Sequence, residues 1–169
     1  LLLDDNNTPG LDDTLRWLDN HPNIEIRLFN PFSFRILRAL GYLTDFARLN
    51  RRMHNKSYTA DGVVTLVGGR NIGDAYFGTG EQPLFSDLDV MAIGPVVQDV
   101  ADDFERYWHC RSVSTLQNVL EVAEPASTQK IELPESWYND DITRRYLHKL
   151  ETSQFMTHLD QRSLPLIWA

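Results

Sequence analysis

The chain has 169 residues, 42% of them hydrophobic and 24% charged, with a formal net charge of −8. That is the balance of one globular domain with a core of its own; it excludes a wholly disordered chain and, lacking a basic surplus, a general nucleic-acid binder. A single cysteine, Cys110, rules out an intrachain disulfide and points to a reducing setting, and no apolar run approaches the roughly 20 residues that span a bilayer. Any membrane contact is expected to be peripheral.

The opening "LLLDDNNTPG" runs three leucines straight into a polar turn cluster, as the second half of a buried strand would. With no lead-in before the leucines, the chain reads as a fragment. Residues 12–20 have acids in the first turn and Leu15 and Leu18 on one face, which predicts a short helix. Residues 23–29, "NIEIRLF", alternate as a strand does. Strand, helix, strand in that order predicts a βαβ unit with parallel pairing.

Residues 34–50 bring Ile36, Leu37, Leu40, Leu43 and Ala47 round at spacings of three and four, the strongest helical pattern in the chain. This helix reads either as a core-packing element with a solvated arginine face or as an apolar and basic surface beside a lipid-binding cleft. From Asn30 to Lys56, Arg35, Arg38, Arg48, Arg51, Arg52 and Lys56 face the single acid Asp45. That local reversal of charge predicts a footprint for a phosphate-bearing ligand or an anionic surface.

Residues 53–60 and 63–68 flank Asp61-Gly62, a dipeptide suited to a tight hairpin. Residues 86–94, "SDLDVMAIG", predict a further strand. Residues 96–110 predict an amphipathic helix through Val97, Val100, Phe104, Tyr107 and Trp108. His109 and Cys110 at its end have no partner at a metal spacing and read as packing or surface residues. After Arg111 the periodicity fades: residues 121–141 are proline-punctuated and polar, like a linker, and residues 141–159 predict one more helix.

The chemistry concentrates in residues 53–71, "MHNKSYTADGVVTLVGGRN". On an extended strand His54, Lys56 and Tyr58 share a face, and the hairpin together with Gly68 and Gly69 returns Asn71 to the same end of the sheet. Such a trio suits a phosphate. A neutral imidazole can attack phosphorus, while Lys56 and Asn71 donate to the non-bridging oxygens. The other imidazole nitrogen needs an acceptor for its proton, and Asp87 and Asp89 on the next strand are the candidates.

The pattern H-x-K-x(4)-D-x(6)-G-G-x-N, made by His54, Lys56, Asp61, Gly68, Gly69 and Asn71, resembles the signature of the phospholipase D superfamily. "SDLDVMAIGPVVQDVADDFERYW" is similar to the strand and helix that follow the motif there, and the opening 30 residues resemble the first unit of its bacterial cardiolipin synthases. The resemblance implies an α/β fold, a phospholipase D-like mixed sheet flanked by helices, forming one lobe of a two-lobed enzyme. It covers residues 1–110, with residues 111–169 a linker and connection to a second lobe.

The resemblance also implies roles. His54 is the phosphohistidine nucleophile or its acid/base twin, Lys56 and Asn71 hold phosphate, Asp87 orients the histidine, and Asp61, Gly68 and Gly69 are structural. Gly69 departs from the serine that many members carry, which removes a hydroxyl donor. No metal or cofactor is implied.

The superfamily builds one active site from two such motifs, and this chain carries one. The implied activity is a phosphatidyltransferase acting on phospholipids, phosphatidylglycerol with phosphatidylethanolamine as a further candidate, peripheral to the cytoplasmic side of a bacterial inner membrane. The second motif then belongs to another lobe or a second chain. The alternative is a homodimeric phosphodiesterase or nuclease, against which the net charge and the apolar pattern of residues 34–50 both count.

Overall fold

The computed structural model describes residues 1–35, 37–73, 76, 87–120 and 140–161. It has two compact units, one of residues 1–69 with 88–131 and the other of residues 70–87 with 132–169.

The first unit begins with the expected βαβ arrangement. β1 (Leu2–Asp4) and β2 (Arg27–Phe29) pair in parallel, Leu3 opposite Leu28, and are joined through α1 (Asp12–Asp19). β6 (Val113–Thr115) adds to β2 antiparallel and makes the sheet mixed. Leu15 from α1 packs with Ile26, Leu28, Leu116 and Leu120 as a buried core, and Leu3, Leu18, Ile24 and Val119 close around it. Burial of each such side chain stabilises by about 1.5–3 kcal/mol. Leu116 is fully buried and begins α5 (Leu116–Val119). Leu116 and Leu120 thus add to the core of this unit.

The second sheet is an antiparallel run of β3 (Ser57–Ala60), β4 (Val64–Gly68) and β5 (Asp89–Ile93). The mixed α/β class is as expected, with the strands shared between two three-stranded sheets. Asp61 (φ 53°) and Gly62 (φ 66°) both take the left-handed conformation that a tight primed turn requires, and the Val63 N–H donates to Ala60 O at 3.0 Å. The Thr59 and Thr65 hydroxyls meet across the strands at 2.9 Å. α4 (Val96–Trp108) packs on all three strands and buries Val97. The Arg27 guanidinium lies 4.3 Å from the centre of the Trp108 ring at the end of α4.

Residues 34–50 depart from expectation. The helix is broken at Asp45 (φ −143°, ψ 40°) into α2 (Arg38–Thr44) and α3 (Phe46–Leu49), and Asp45 pairs with Arg48 at 2.5 Å. The polarity is inverted as well. Arg35 and Arg38 turn inward, whereas Phe34, Leu37, Leu40, Leu43 and Phe46 are exposed, Leu43 at 82%. The inward side also carries Gly41, whose missing side chain would stand 3.1 Å from the Phe32 ring and 3.2 Å from Leu49.

The cause of the inversion is a set of carboxylates at the end of β1. Asp5, fully buried, accepts from the Thr8 hydroxyl at 2.6 Å and the Phe32 N–H at 2.8 Å, and pairs with Arg35 and Arg38. Arg35 also grips Asp12, and Arg52 pairs with Asp4 at 2.9 Å. The hydrogen bond from Arg35 holds the Asp12 carboxyl below its ordinary range. Burial works against the charge on Arg35, but the hydrogen bonds to Asp12 and Asp5 outweigh it and raise its pKa. Arg38, with burial dominant, is lowered. The basic footprint predicted from the sequence is thus corrected: Arg35, Arg38, Arg48 and Arg52 are held by the protein's own carboxylates, and Arg51 and Lys56 remain.

In the second unit the helix expected over residues 141–159 is divided into α6 (Asp141–Glu151) and α7 (Gln154–Asp160). Asp140 caps α6 through the Ile142 and Thr143 N–H groups, and the Ser153 hydroxyl caps α7 at the Met156 N–H. Residues 121–139, which make up nearly all of the expected linker, lie outside the described residues. No described helix is long and apolar enough to cross a membrane.

Candidate functional site

The segment that leads to His54 is fixed from below. β1 and β2 are parallel, and a polar residue stands at or just past the carboxyl end of each: Asp4 ends β1, and Asn30 follows β2. Asp4 is 7% exposed, and one of its carboxylate oxygens accepts both the Met53 N–H and the Arg52 Nε–H at 2.9 Å. Asn30, buried with φ 47°, donates its amide to the carbonyls of Arg48 (3.1 Å) and Arg51 (2.5 Å). Two buried side chains at one sheet edge therefore hold residues 48–53, with His54 next in the chain. The sequence reading missed both. The only signal was their position at the ends of predicted parallel strands, where open α/β sheets gather their functional loops.

His54 and Lys56 precede β3 rather than lying in it, because the paired strand begins at Ser57. His54 is exposed, and among the described residues its ring makes no hydrogen bond or ion pair. Lys56 turns its ammonium to the His54 carbonyl at 2.8 Å, which keeps the two residues of the motif adjacent. Asp61 is exposed in the hairpin turn.

The glycine pair has a steric reason. The Gly68 N–H donates to Lys56 O and the Gly69 N–H to Leu88 O, both at 3.3 Å, so Gly68 lies between Lys56 and Asp89. A Cβ on Gly68 would stand 2.1 Å from Asp89 Oδ1 and 2.7 Å from Leu88 O. Only glycine fits, and the Asp89 carboxylate fills the space above it. Of the two carboxylates proposed from the sequence, Asp89 is the one that packs against the motif within this unit. Asp87, half-buried, and Asn71 belong to the second unit, where the Asn71 amide donates to the Tyr76 hydroxyl at 2.9 Å.

The geometry therefore brings Lys56, Gly68, Gly69 and Asp89 to one sheet end, with His54 exposed beside them. An unpaired imidazole next to an ammonium is suited to meeting an anionic ligand. Comparison with known proteins gives this arrangement a context. The chain is 75% identical, along all 169 of its residues, to a stretch of Cardiolipin synthase C from Escherichia coli (strain K12).

Along its whole length the chain is thus similar to part of a cardiolipin synthase. The match lies in the N-terminal part of that longer protein, and the chain spans 36% of its length. Cardiolipin synthase A of Pseudomonas fluorescens (strain SBW25) is 39% identical over 70 residues, 40% of this chain and 14% of that protein. An uncharacterized protein of Helicobacter pylori (strain ATCC 700392 / 26695) is 41% identical over 110 residues, 64% of this chain and 22% of its own length. No family model and no solved structure matches. At the motif His54 is exposed and Lys56 partly so, while Arg35, Arg38, Arg48 and Arg52 nearby are internally paired.

Proposed function

We propose that the chain supplies half of the active site of a phosphatidyltransferase of the cardiolipin synthase type. The observation that carries this reading is the 75% identity to Cardiolipin synthase C across the whole chain, the motif segment included. The single histidine–lysine motif supports the word half.

The chemistry is a two-step displacement. An imidazole nitrogen, of His54 or of its counterpart in the second lobe, attacks the phosphorus of a phospholipid. A phosphorus–nitrogen bond forms, the bond to the headgroup alcohol breaks, and the departing alkoxide takes a proton from the other histidine. The headgroup hydroxyl of phosphatidylglycerol then gives its proton back to that histidine and attacks the phosphohistidine, forming cardiolipin and freeing the imidazole. Lys56 and Asn71 hold the non-bridging oxygens, and Asp87 holds the second imidazole nitrogen. The protein works at the surface of a bacterial inner membrane, on the cytoplasmic side, and its partners are phospholipids and a second lobe.

The test is to quench the intact enzyme during turnover on phosphatidylglycerol vesicles and map acid-labile phosphorus–nitrogen adducts by mass spectrometry. An adduct on His54, or on a second-lobe histidine but lost in His54→Ala, is the expected result. Turnover without any histidine adduct would refute the reading.

A further inference from the structure

We propose that Asp4 is a positioning residue for His54. The inference rests on the reading of His54 as a reacting group and adds to it the device that sets its place.

The argument is geometric. His54 lies in chain that is neither helix nor strand, so no ladder of hydrogen bonds fixes it, and its side chain has no partner among the described residues. The nearest anchored atom before it is the Met53 nitrogen, whose hydrogen is taken by Asp4 Oδ2 at 2.9 Å. The same oxygen takes the Arg52 Nε–H at 2.9 Å. Asp4 itself cannot wander. It is the last residue of β1, paired with Phe29, its side chain is 5% exposed, and its other oxygen accepts the Asn6 N–H at 3.1 Å.

Both oxygens of this carboxylate accept from donors of the adjoining segments, so it transmits the position of the β1 end directly to the backbone one residue before His54. A reacting group displaced by about 1 Å loses on the order of a hundredfold in rate. Asn30, which holds the Arg48 and Arg51 carbonyls from the end of β2, fixes the same segment three residues earlier. Asp4 is the closer of the two and the one that a substitution can separate into its parts.

The experiment measures phosphatidyl transfer by the intact enzyme carrying Asp4→Ala, Asp4→Asn, Asp4→Glu or Arg52→Ala, with His54→Ala in parallel. Asp4→Ala, which leaves the Met53 N–H without its acceptor, lowers kcat about 30-fold with KM within about threefold. Asp4→Asn keeps an acceptor for that N–H and stays within about threefold of the parent, and Arg52→Ala does the same. Asp4→Glu keeps the charge, moves the acceptor by one methylene and loses about tenfold in kcat; it decides the matter should Asp4→Ala fold poorly.

Full kcat in Asp4→Ala or in Asp4→Glu, equal losses in Asp4→Ala and Asp4→Asn, or a loss confined to KM would overturn the assignment. Transfer that survives in His54→Ala would instead refute the phosphohistidine reading. Loss in His54→Ala beside a normal Asp4→Ala would refute the positioning role only.

Discussion

The end of β1 and the start of β3 carry similar numbers of polar side chains and treat them in opposite ways. Asp4 and Asp5 are buried, and each takes several donors, from Asn6, Arg52 and Met53 at one and Thr8, Phe32, Arg35 and Arg38 at the other. His54 is exposed, and among the described residues Lys56 reaches only a backbone carbonyl. Burial of a charge is tolerable only when its lone pairs are filled, so the first group is committed to structure. The second has capacity to spare for a ligand.

Breaking the first region is expected to destabilise the fold most. Asp5→Ala removes the carboxylate that Arg38 faces and that Arg35 shares with Asp12, and it frees the Phe32 N–H; on the order of 3–5 kcal/mol of stability is lost, which urea unfolding followed by circular dichroism measures directly. Gly68→Ala tests where structure reaches into the motif. The added methyl must push Asp89 and the Leu88 carbonyl aside, at a cost of about 1–3 kcal/mol, read from the same curves. Gly62→Ala meets no atom within 4 Å but places a side chain at φ 66°, and costs about 1 kcal/mol through backbone strain.

The smallest effect sharpens the contrast by pH. The hydrogen bond from Arg35 depresses the pKa of Asp12 in the folded state, so its stabilising contribution is complete above the unfolded value, about pH 4, and is lost as pH falls through the lower folded value. Asp12→Asn should therefore shallow the acid limb of the stability curve and leave the slope between pH 6 and 8 unchanged. An unaltered acid limb would show that the Arg35 pair contributes nothing.

The sequence made the βαβ opening, the Asp61-Gly62 hairpin and α4 readable, because alternation, left-handed turn residues and 3.6-residue periodicity are local signals. It also made the motif readable, since His54, Lys56 and the glycines are fixed by spacing. The orientation of residues 34–50 was hidden. Apolar spacing of Leu37, Leu40 and Leu43 ordinarily marks the inward face, but here Asp5 and Asp12, more than 20 residues away in sequence, pull Arg35 and Arg38 inside and turn the leucines out. Asp4 and Asn30 were hidden for the same reason, since what they hold lies 18 to 49 residues along the chain.

The rate of cardiolipin formation by the intact enzyme carrying His54→Ala tests the central claim most directly, with its unfolding curve as the control. The account predicts a loss of at least about a thousandfold in kcat with stability within about 0.5 kcal/mol of the parent, as for an exposed side chain. A variant that forms cardiolipin at the parental rate would contradict it.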